Sequence, residues 1–125
     1  MKKFLAVAAL AATLAAAGCA STSTMPAKAE AGVLVGPNGM TLYTFANDPA
    51  SSGKSVCVDK CAINWPPLAA AAGDQASGGW SVITRNDGSK QWAYKGKPLY
   101  YWIKDQKPGD RTGDGVNKVW SVVRP

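Results

Sequence analysis

Cys57 and Cys61 are the residues whose type and spacing come closest to a chemical pair. They stand four positions apart in a loop-like stretch, and a C-x-x-C redox motif is absent. In an oxidising compartment such a pair forms a disulfide. As a free dithiol it would be reactive or would bind a soft metal such as copper(I), although no His and few Met stand near it to complete a site. The choice between these uses depends on where the protein resides.

A second candidate is the loop over residues 104–115, which contains Asp105, Asp110 and Asp114 among several glycines. Carboxylates in a flexible turn are ligands that calcium prefers. The EF-hand spacing is missing, however, and three basic residues in the loop dilute its negative charge. We therefore treat these Asp residues as weak metal candidates, since turn formation alone explains their presence. Nothing in the sequence separates an acid from a base among them, as glycoside hydrolysis would require.

Tryptophan is the third signal, because the chain has 5 Trp. Large aromatic rings fill a small core, but an exposed ring can stack on a sugar or a flat ligand. Core filling is the more economical interpretation for most of them. The residues that remain candidates for a ligand platform are Trp65, Trp80, Trp92 and Trp120.

The chain has no His. This excludes Ser-His and Cys-His nucleophile pairs, His-ligated zinc and c-type haem attachment. Since each familiar catalytic constellation lacks a member, we expect a protein that is not an enzyme and that has no cofactor.

The amino terminus has the pattern of an export signal. Two lysines precede a 14-residue uncharged run from Phe4 to Ala17, which is shorter than a membrane span but suits a signal peptide. Ala16, Ala17 and Gly18 lead directly into Cys19, as in the bacterial lipobox, where the sulfur is lipidated after cleavage. An ordinary cleaved signal is the alternative. The odd cysteine favours the lipid, because three Cys in an exported chain otherwise leave a free thiol.

These features predict a signal peptide over 1–18, and a lipidated Cys19 with a flexible, small and polar tether over 19–31. Ala20 is not acidic, which suggests the outer membrane, facing the periplasm, rather than inner-membrane retention. Without residues 1–18 the chain carries 12 basic and 8 acidic residues, a net charge of +4, with no basic cluster. We therefore expect the membrane as a partner through the lipid, a cell-wall polymer or an envelope protein as further partners, and no nucleic acid.

The chain has 13 Gly and 8 Pro, nearly all of them in residues 32–125. They interrupt the apolar runs there, so this region reads as short strands between turns. One hairpin is predicted over 31–35 and 40–45. Another is predicted over 80–84 and 91–94, and further strands over 98–103 and 119–123. Only residues 66–72, with proline near the start and four Ala, resemble a helix.

The sequence contains an internal repeat. Residues 39–48 align without gaps on 96–105, at an offset of 57 residues, and each copy is followed by a loop and a Trp. Two related β repeats, near 39–68 and 96–125, are therefore predicted to close on one core. In each strand the two aromatic residues share a face, while Leu42 and Leu99 point to the other. Asp48 and Asp105 fall at the strand ends, where Asp can bond its own following amides to form a turn.

The combined motifs resemble the bacterial secreted-repeat lipoproteins that are named for Y-x-[FWY]-x-x-D. The residues that carry the resemblance are Tyr43, Phe45 and Asp48, then Tyr100, Trp102 and Asp105, with Cys57-x-x-x-Cys61, Asn64-Trp65-Pro66-Pro67 and Thr112-Gly113-Asp114-Gly115. The likeness covers residues 31–125. It implies export, frequent lipidation and a tandem repeat, and it implies no activity.

The predicted fold is an all-β, sandwich-like or barrel-like domain of two related repeats with one short helical segment. Two hypotheses on function remain. The first is a membrane-anchored envelope lipoprotein, a non-enzymatic binding or structural module. The second is a redox or metal-handling accessory that uses Cys57 and Cys61. In an exported protein the disulfide is the default state of this pair, which favours the first.

Overall fold

The computed structural model describes residues 26–71 and 73–125. The predicted signal peptide, Cys19 and the first part of the predicted tether lie outside these residues. Most of the regular structure is β, in three small antiparallel sheets, so the prediction of an all-β domain is confirmed. None of the helices in the described ranges is long and apolar enough to cross a membrane.

The elements are short and separated by turns. In chain order they are β1 (Lys28–Glu30), β2 (Val33–Val35), β3 (Tyr43–Phe45), α1 (Lys60–Asn64), β4 (Trp80–Thr84), β5 (Lys90–Tyr94), β6 (Lys97–Pro98), a 3-10 turn (Val116–Lys118) and β7 (Trp120–Val122). The sheets are β1–β2, β3–β7 and β4–β5–β6. Isolated bridges pair strand residues such as Tyr43 and Gln91 with segments outside the strands.

The hairpin β4–β5 forms where local sequence favours it. Its turn is closed by the N–H of Gly88, which donates to the carbonyl of Arg85 at 2.9 Å. Gly88 has a φ of +87°, a conformation that glycine adopts at little cost. The side chain of Asp87 accepts from the backbone N–H of Ser89 at 2.9 Å, which completes the turn.

The two repeats meet at their corresponding tyrosines. The backbone N–H of Tyr43 donates to the carbonyl of Tyr100 at 2.8 Å, and the N–H of Tyr100 donates to the carbonyl of Tyr43 at 2.9 Å. Because these residues are equivalent in the aligned segments 39–48 and 96–105, the bridge lies on an approximate two-fold axis between the repeats. The prediction of two related halves is confirmed.

Each repeat also gives its last extended segment to the other. β7, at the end of the second repeat, pairs with β3 of the first, with Tyr43 opposite Val122. In the corresponding place Pro67, near the end of the first repeat, bridges Tyr100 of the second. The repeats are therefore interleaved, and neither completes its own pairing.

Two apolar clusters lie on opposite sides of this central pairing. Leu42 and Leu99 belong to one cluster, together with Trp80 and Trp92. Tyr43 and Tyr100 belong to the other, and Phe45 and Trp102 pack against it. The two faces are as the alternation of residues predicts, because successive side chains of an extended strand point to opposite sides.

The predicted helix over 66–72 is wrong. Within the described part of this segment the chain is extended, and the N–H of Leu68 donates to the carbonyl of Leu99 at 2.9 Å. Helix propensity is a weak preference that pairing with a neighbouring strand overrides. The short α-helix lies instead at Lys60–Asn64, directly before Trp65.

The predicted tether ends earlier than residue 31, because Lys28–Glu30 form β1 and pair with β2. All three of its side chains are exposed, so no apolar pattern marks this strand in the sequence. The strand predicted over 98–103 is also shorter than expected. β6 covers only Lys97–Pro98, and beyond it Tyr100 makes isolated bridges.

Candidate functional site

The repeat motif builds a pair of crossed hydrogen bonds. The phenol of Tyr43 donates to Asp105 Oδ2 at 2.6 Å, and the phenol of Tyr100 donates to Asp48 Oδ2 at 2.5 Å. Each tyrosine thus bonds the aspartate of the other repeat. All four residues are buried. Short bonds from a phenol to a carboxylate are among the stronger hydrogen bonds in proteins, so the motif joins the repeats.

The other carboxylate oxygen of each aspartate holds the loop that follows it. Asp48 Oδ1 accepts from the backbone N–H of Val56 at 2.7 Å. Asp105 Oδ1 accepts from the N–H and the hydroxyl of Thr112 at 2.9 and 2.6 Å. The expectation that Asp48 and Asp105 bond the amides directly after them is therefore wrong. Those turns are closed by the backbone, with the N–H of each Asp donating three residues back.

Burial raises the pKa of Tyr43 and of Tyr100 well above the ordinary value for a phenol. The hydrogen bond to Asp105 or Asp48 adds to the effect, because it stabilises the protonated phenol. Both phenols are therefore donors at physiological pH. Neither is a phenolate nucleophile or a general base.

A buried cation lies beside one of these crossed pairs. Arg85 is 7% exposed, and its guanidinium donates to Ser55 Oγ at 2.9 Å, to Gln91 Oε1 at 2.7 Å and to the carbonyl of Cys57 at 2.5 Å. Ser55 Oγ is also 2.5 Å from the phenol of Tyr100. Arg85 was not a candidate in the sequence. Its only signal is its position directly after the strand β4, where a buried charge is rare.

Cys57 and Cys61 form a disulfide, as predicted for an exported protein. Cys57 is fully buried, and its carbonyl accepts from Arg85, so the bond stiffens the loop that packs on the buried cation. A reactive dithiol needs an accessible sulfur. The burial of Cys57 thus favours the structural use of this pair over the redox or metal-handling one.

Four aromatic rings stack in a column, which we call the aromatic column and define as Phe45, Trp120, Trp65 and Trp102. The centroid distances along it are 4.3 Å between Phe45 and Trp120, 3.7 Å between Trp120 and Trp65, and 3.9 Å between Trp65 and Trp102. The column follows the two-fold relation of the repeats, with one equivalent Trp pair at its centre and Phe45 and Trp102 at its ends.

The four tryptophans considered as a ligand platform are core residues. Their exposed fractions are 4% for Trp65 and Trp80, 7% for Trp92 and 3% for Trp120. The prediction of an exposed platform on these residues is therefore wrong, because each ring is buried in one of the two clusters. The fifth tryptophan, Trp102, was not one of these candidates and is half-buried at one end of the aromatic column.

The structure does not bring Asp105, Asp110 and Asp114 together as metal ligands. Asp110 instead accepts from the backbone of Gln106 and from Lys107, and these contacts lower its pKa. Asp114 Oδ1 accepts from the N–H of Val122 at 3.1 Å. Residues 26–71 and 73–125 contain no group of three or more His, Cys, Asp or Glu placed to hold a metal.

An open cleft of about 520 Å³ lies along β4, where Ser81 and Ile83 are among its lining residues. Its lining includes one cation, Lys95, and two hydroxyls, Ser51 and Ser81, and it includes no acidic residue. We call it the β4 cleft. Its remaining lining residues are apolar or glycine: Gly53, Ala76, Gly78, Gly79, Trp80, Val82, Ile83, Ala93 and Gly96. A smaller cleft of about 230 Å³ lies beside Arg85 and is lined by Asp59 and Asp87.

A family model described as a secreted repeat of unknown function matches residues 26–69 and 81–124. The chain belongs to this family. No curated protein and no solved structure matches it. The matched segments of this secreted repeat protein start earlier than the repeats predicted near 39–68 and 96–125. They include the strand β2 in the first repeat and all of β4 except Trp80 in the second.

Proposed function

We propose that this secreted repeat protein is a lipid-anchored, non-enzymatic binding module of the cell envelope. The tyrosines and aspartates of the motif support this, because they are buried and bonded to one another. They hold the two repeats together and are not offered to a ligand. A ligand must therefore bind to surface residues outside the motif.

The observation that carries the proposal is the composition of the β4 cleft. A ligand there meets a lysine, two serine hydroxyls and apolar floor residues, and no carboxylate repels it. This lining suits a polymer with hydroxyl groups and negative charge, since Lys95 attracts the charge and the serines bond hydroxyls. We assign an acidic cell-wall glycan as the ligand class. The net charge of +4 without residues 1–18 adds a weak long-range attraction.

The anchor is the second part of the proposal. Cys19 follows three small residues and is the cysteine left over once Cys57 and Cys61 are paired. Lipidation of Cys19 would hold the domain at the outer membrane, facing the periplasm. Two or more acyl chains give stable attachment, whereas one does not.

Intact-mass analysis of protein from membranes tests the anchor. We expect loss of residues 1–18 and an added diacylglycerol at Cys19, and we expect Cys19→Ser to release the protein into the soluble fraction. An unmodified sulfur at position 19 would refute the lipid anchor and would have no bearing on the proposed ligand of the β4 cleft.

Co-sedimentation with purified cell-wall sacculi tests the ligand. Lys95→Gln is expected to weaken binding, and Ser81→Glu is expected to abolish it by placing a negative charge on the cleft floor. Lys118→Gln is the matched control, because Lys118 is also an exposed lysine at positive φ but is not part of the cleft. Equal loss in both lysine variants would show a general charge effect and would refute the assignment of the cleft.

A further inference from the structure

The aromatic column is a continuous path of π systems between a half-buried end and the buried centre. Successive centroids from Trp102 to Trp120 are 3.9 and 3.7 Å apart, so the indoles are in van der Waals contact. Rings at contact distance exchange electrons readily. Trp is also the side chain, with Tyr, that gives up one electron most easily.

Two buried phenols lie beside this path. The ring of Tyr100 is 5.2 Å from that of Trp120, and the ring of Tyr43 is 5.5 Å from that of Trp65. A phenol that loses an electron also loses its proton, and an acceptor must be in place to receive it. Asp48 and Asp105 lie 2.5 and 2.6 Å from the phenol oxygens, in hydrogen-bonded contact.

We propose that the aromatic column is a relay for one-electron oxidation, which takes an oxidising equivalent at Trp102 and delivers it to the buried phenol of Tyr100 or Tyr43. The oxidant is a small diffusible radical such as nitrogen dioxide or carbonate radical. This inference is independent of the cleft and of its ligand.

The electrons and protons balance at each step. The oxidant takes one electron from the indole of Trp102, and Trp65 and Trp120 then pass one electron outward in turn. Tyr100 gives an electron to Trp120 and its phenolic proton to Asp48 Oδ2. The products are neutral indoles, a neutral tyrosyl radical and a protonated carboxyl. One electron from an organic reductant such as ascorbate, with the proton returned by Asp48, restores the phenol.

The charges around the column give the transfer a direction. Lys104 Nζ lies 5.8 Å from the centroid of the Trp102 ring, and its positive charge disfavours an indole radical cation at that end. The carboxylate of Asp105 favours positive charge near the phenol of Tyr43, whereas at Tyr100 the guanidinium of Arg85 offsets the charge of Asp48. Phe45 closes the opposite end, and a phenyl ring is much harder to oxidise than an indole. An oxidising equivalent that enters at Trp102 therefore ends at a tyrosine that solvent does not reach.

Pulse radiolysis of the purified full-length chain tests this relay. Azide radicals oxidise indole faster than phenol, so the Trp radical forms first and its absorption decays as the tyrosyl absorption rises. We expect this conversion to be first order and independent of protein concentration. Trp102→Phe should cause loss of most of the tyrosyl signal, and Tyr43→Phe/Tyr100→Phe should remove it.

The controls use aromatic residues outside the path. Trp80, Trp92 and the half-buried Tyr94 form a separate aromatic group in the other cluster. Trp92→Phe and Tyr94→Phe/Tyr101→Phe should keep the conversion. Near-ultraviolet circular dichroism checks that each variant is folded. If the double tyrosine variant does not fold, Trp102→Phe still decides, because phenylalanine already occupies the equivalent position 45.

Three outcomes would overturn the proposal. One is decay of the Trp radical by a bimolecular route without a tyrosyl radical. Another is an unchanged tyrosyl yield in Trp102→Phe. The third is loss of the signal in Tyr94→Phe/Tyr101→Phe, which would place the radical in the other cluster.

Discussion

At the scale of single residues, the central fact is that two buried carboxylates depend on phenols from the other half of the chain. Asp48 and Asp105 are 1% and 8% exposed. A buried carboxylate is costly unless hydrogen bonds satisfy it. Each phenol is therefore part of what makes the burial of the opposite aspartate tolerable.

Removing the hydroxyl of one buried tyrosine should destabilise the folded state. Tyr100→Phe leaves Asp48 Oδ2 without its donor, and we expect a loss of about 1–3 kcal/mol in the free energy of unfolding. Urea unfolding followed by circular dichroism measures the change. Tyr94→Phe, at a half-buried ring in the other cluster, is the control and should change stability by less than about 0.5 kcal/mol. Equal effects of the two changes would contradict this account.

The buried phenols also predict how stability depends on pH. Their pKa values are raised in the folded protein, so the folded state keeps protons that the unfolded state loses above the ordinary phenol pKa of about 10. Stability is therefore fully present below pH 10 and falls as the pH rises above it, by at most about 1.4 kcal/mol per pH unit for each phenol. Urea midpoints between pH 8 and pH 11.5 measure this slope. The Tyr43→Phe/Tyr100→Phe variant should show a flatter profile, and an identical profile would refute the assignment.

At the scale of elements, loops are fixed by close packing and by one covalent bond. Gly113 approaches the aromatic column so closely that a Cβ there would lie 2.9 Å from atoms of Trp65 and Tyr43. The disulfide ties the start of α1 to the loop beside Arg85. Both features hold the loops that precede the central tryptophans.

Gly113→Ala is expected to destabilise the protein by about 1–3 kcal/mol, because the methyl group overpacks the column. Thermal unfolding measures the effect. Gly79→Ala is a matched control, since neither glycine has a positive φ. A Cβ at Gly79 would lie 3.3 Å from Tyr94, which is a looser contact than the 2.9 Å at Gly113. A smaller effect at Gly113 than at Gly79 would show that the loop can move away from the rings.

Replacing both Cys57 and Cys61 by Ser should lower the free energy of unfolding by about 2 kcal/mol, because the disulfide closes a short loop. The β strands should remain, as seen by far-ultraviolet circular dichroism. The unaltered chain in a reductant should behave like the double variant. Complete unfolding on loss of the bond would mean that the loop is needed by the whole domain.

The elements divide clearly into those that the sequence predicts and those that it does not. β4 and β5 were predictable, because alternating residues flank a turn with Asp87 and Gly88. β1 was not, since its side chains are exposed, and 66–72 was misread because pairing outweighs the helix preference of alanine. In the site, the sequence identified the tyrosines and aspartates but not their partners. The crossed bonds join residues 52 and 62 positions apart, which no local pattern reveals.

At the scale of the whole molecule, the interleaved pairing makes the two repeats one cooperative unit. β7 completes β3, and Pro67 bridges Tyr100. Neither half has its full hydrogen bonding alone, so we expect a single unfolding transition for both.

Separated halves should therefore fold only together. Fragments 26–71 and 76–125, cut in the connection between the matched repeats, are expected to be unfolded alone and to regain the near-ultraviolet spectrum of the domain when mixed one to one. A titration followed by Trp fluorescence measures the association. Mixing with a second fragment that carries Asp105→Asn tests the role of the crossed bonds and should weaken it. A fragment that is fully folded by itself would contradict the interleaved pairing.

Because each tyrosine is bonded to the aspartate of the other repeat, the residues that must vary together lie in different repeats. Tyr43 is hydrogen-bonded to Asp105 and Tyr100 to Asp48, although each motif contains its own tyrosine and aspartate. Relatives of this chain should thus covary across the repeats and not within them. A substitution of the tyrosine in one copy of the motif is expected to be accompanied by a substitution of the aspartate in the other copy.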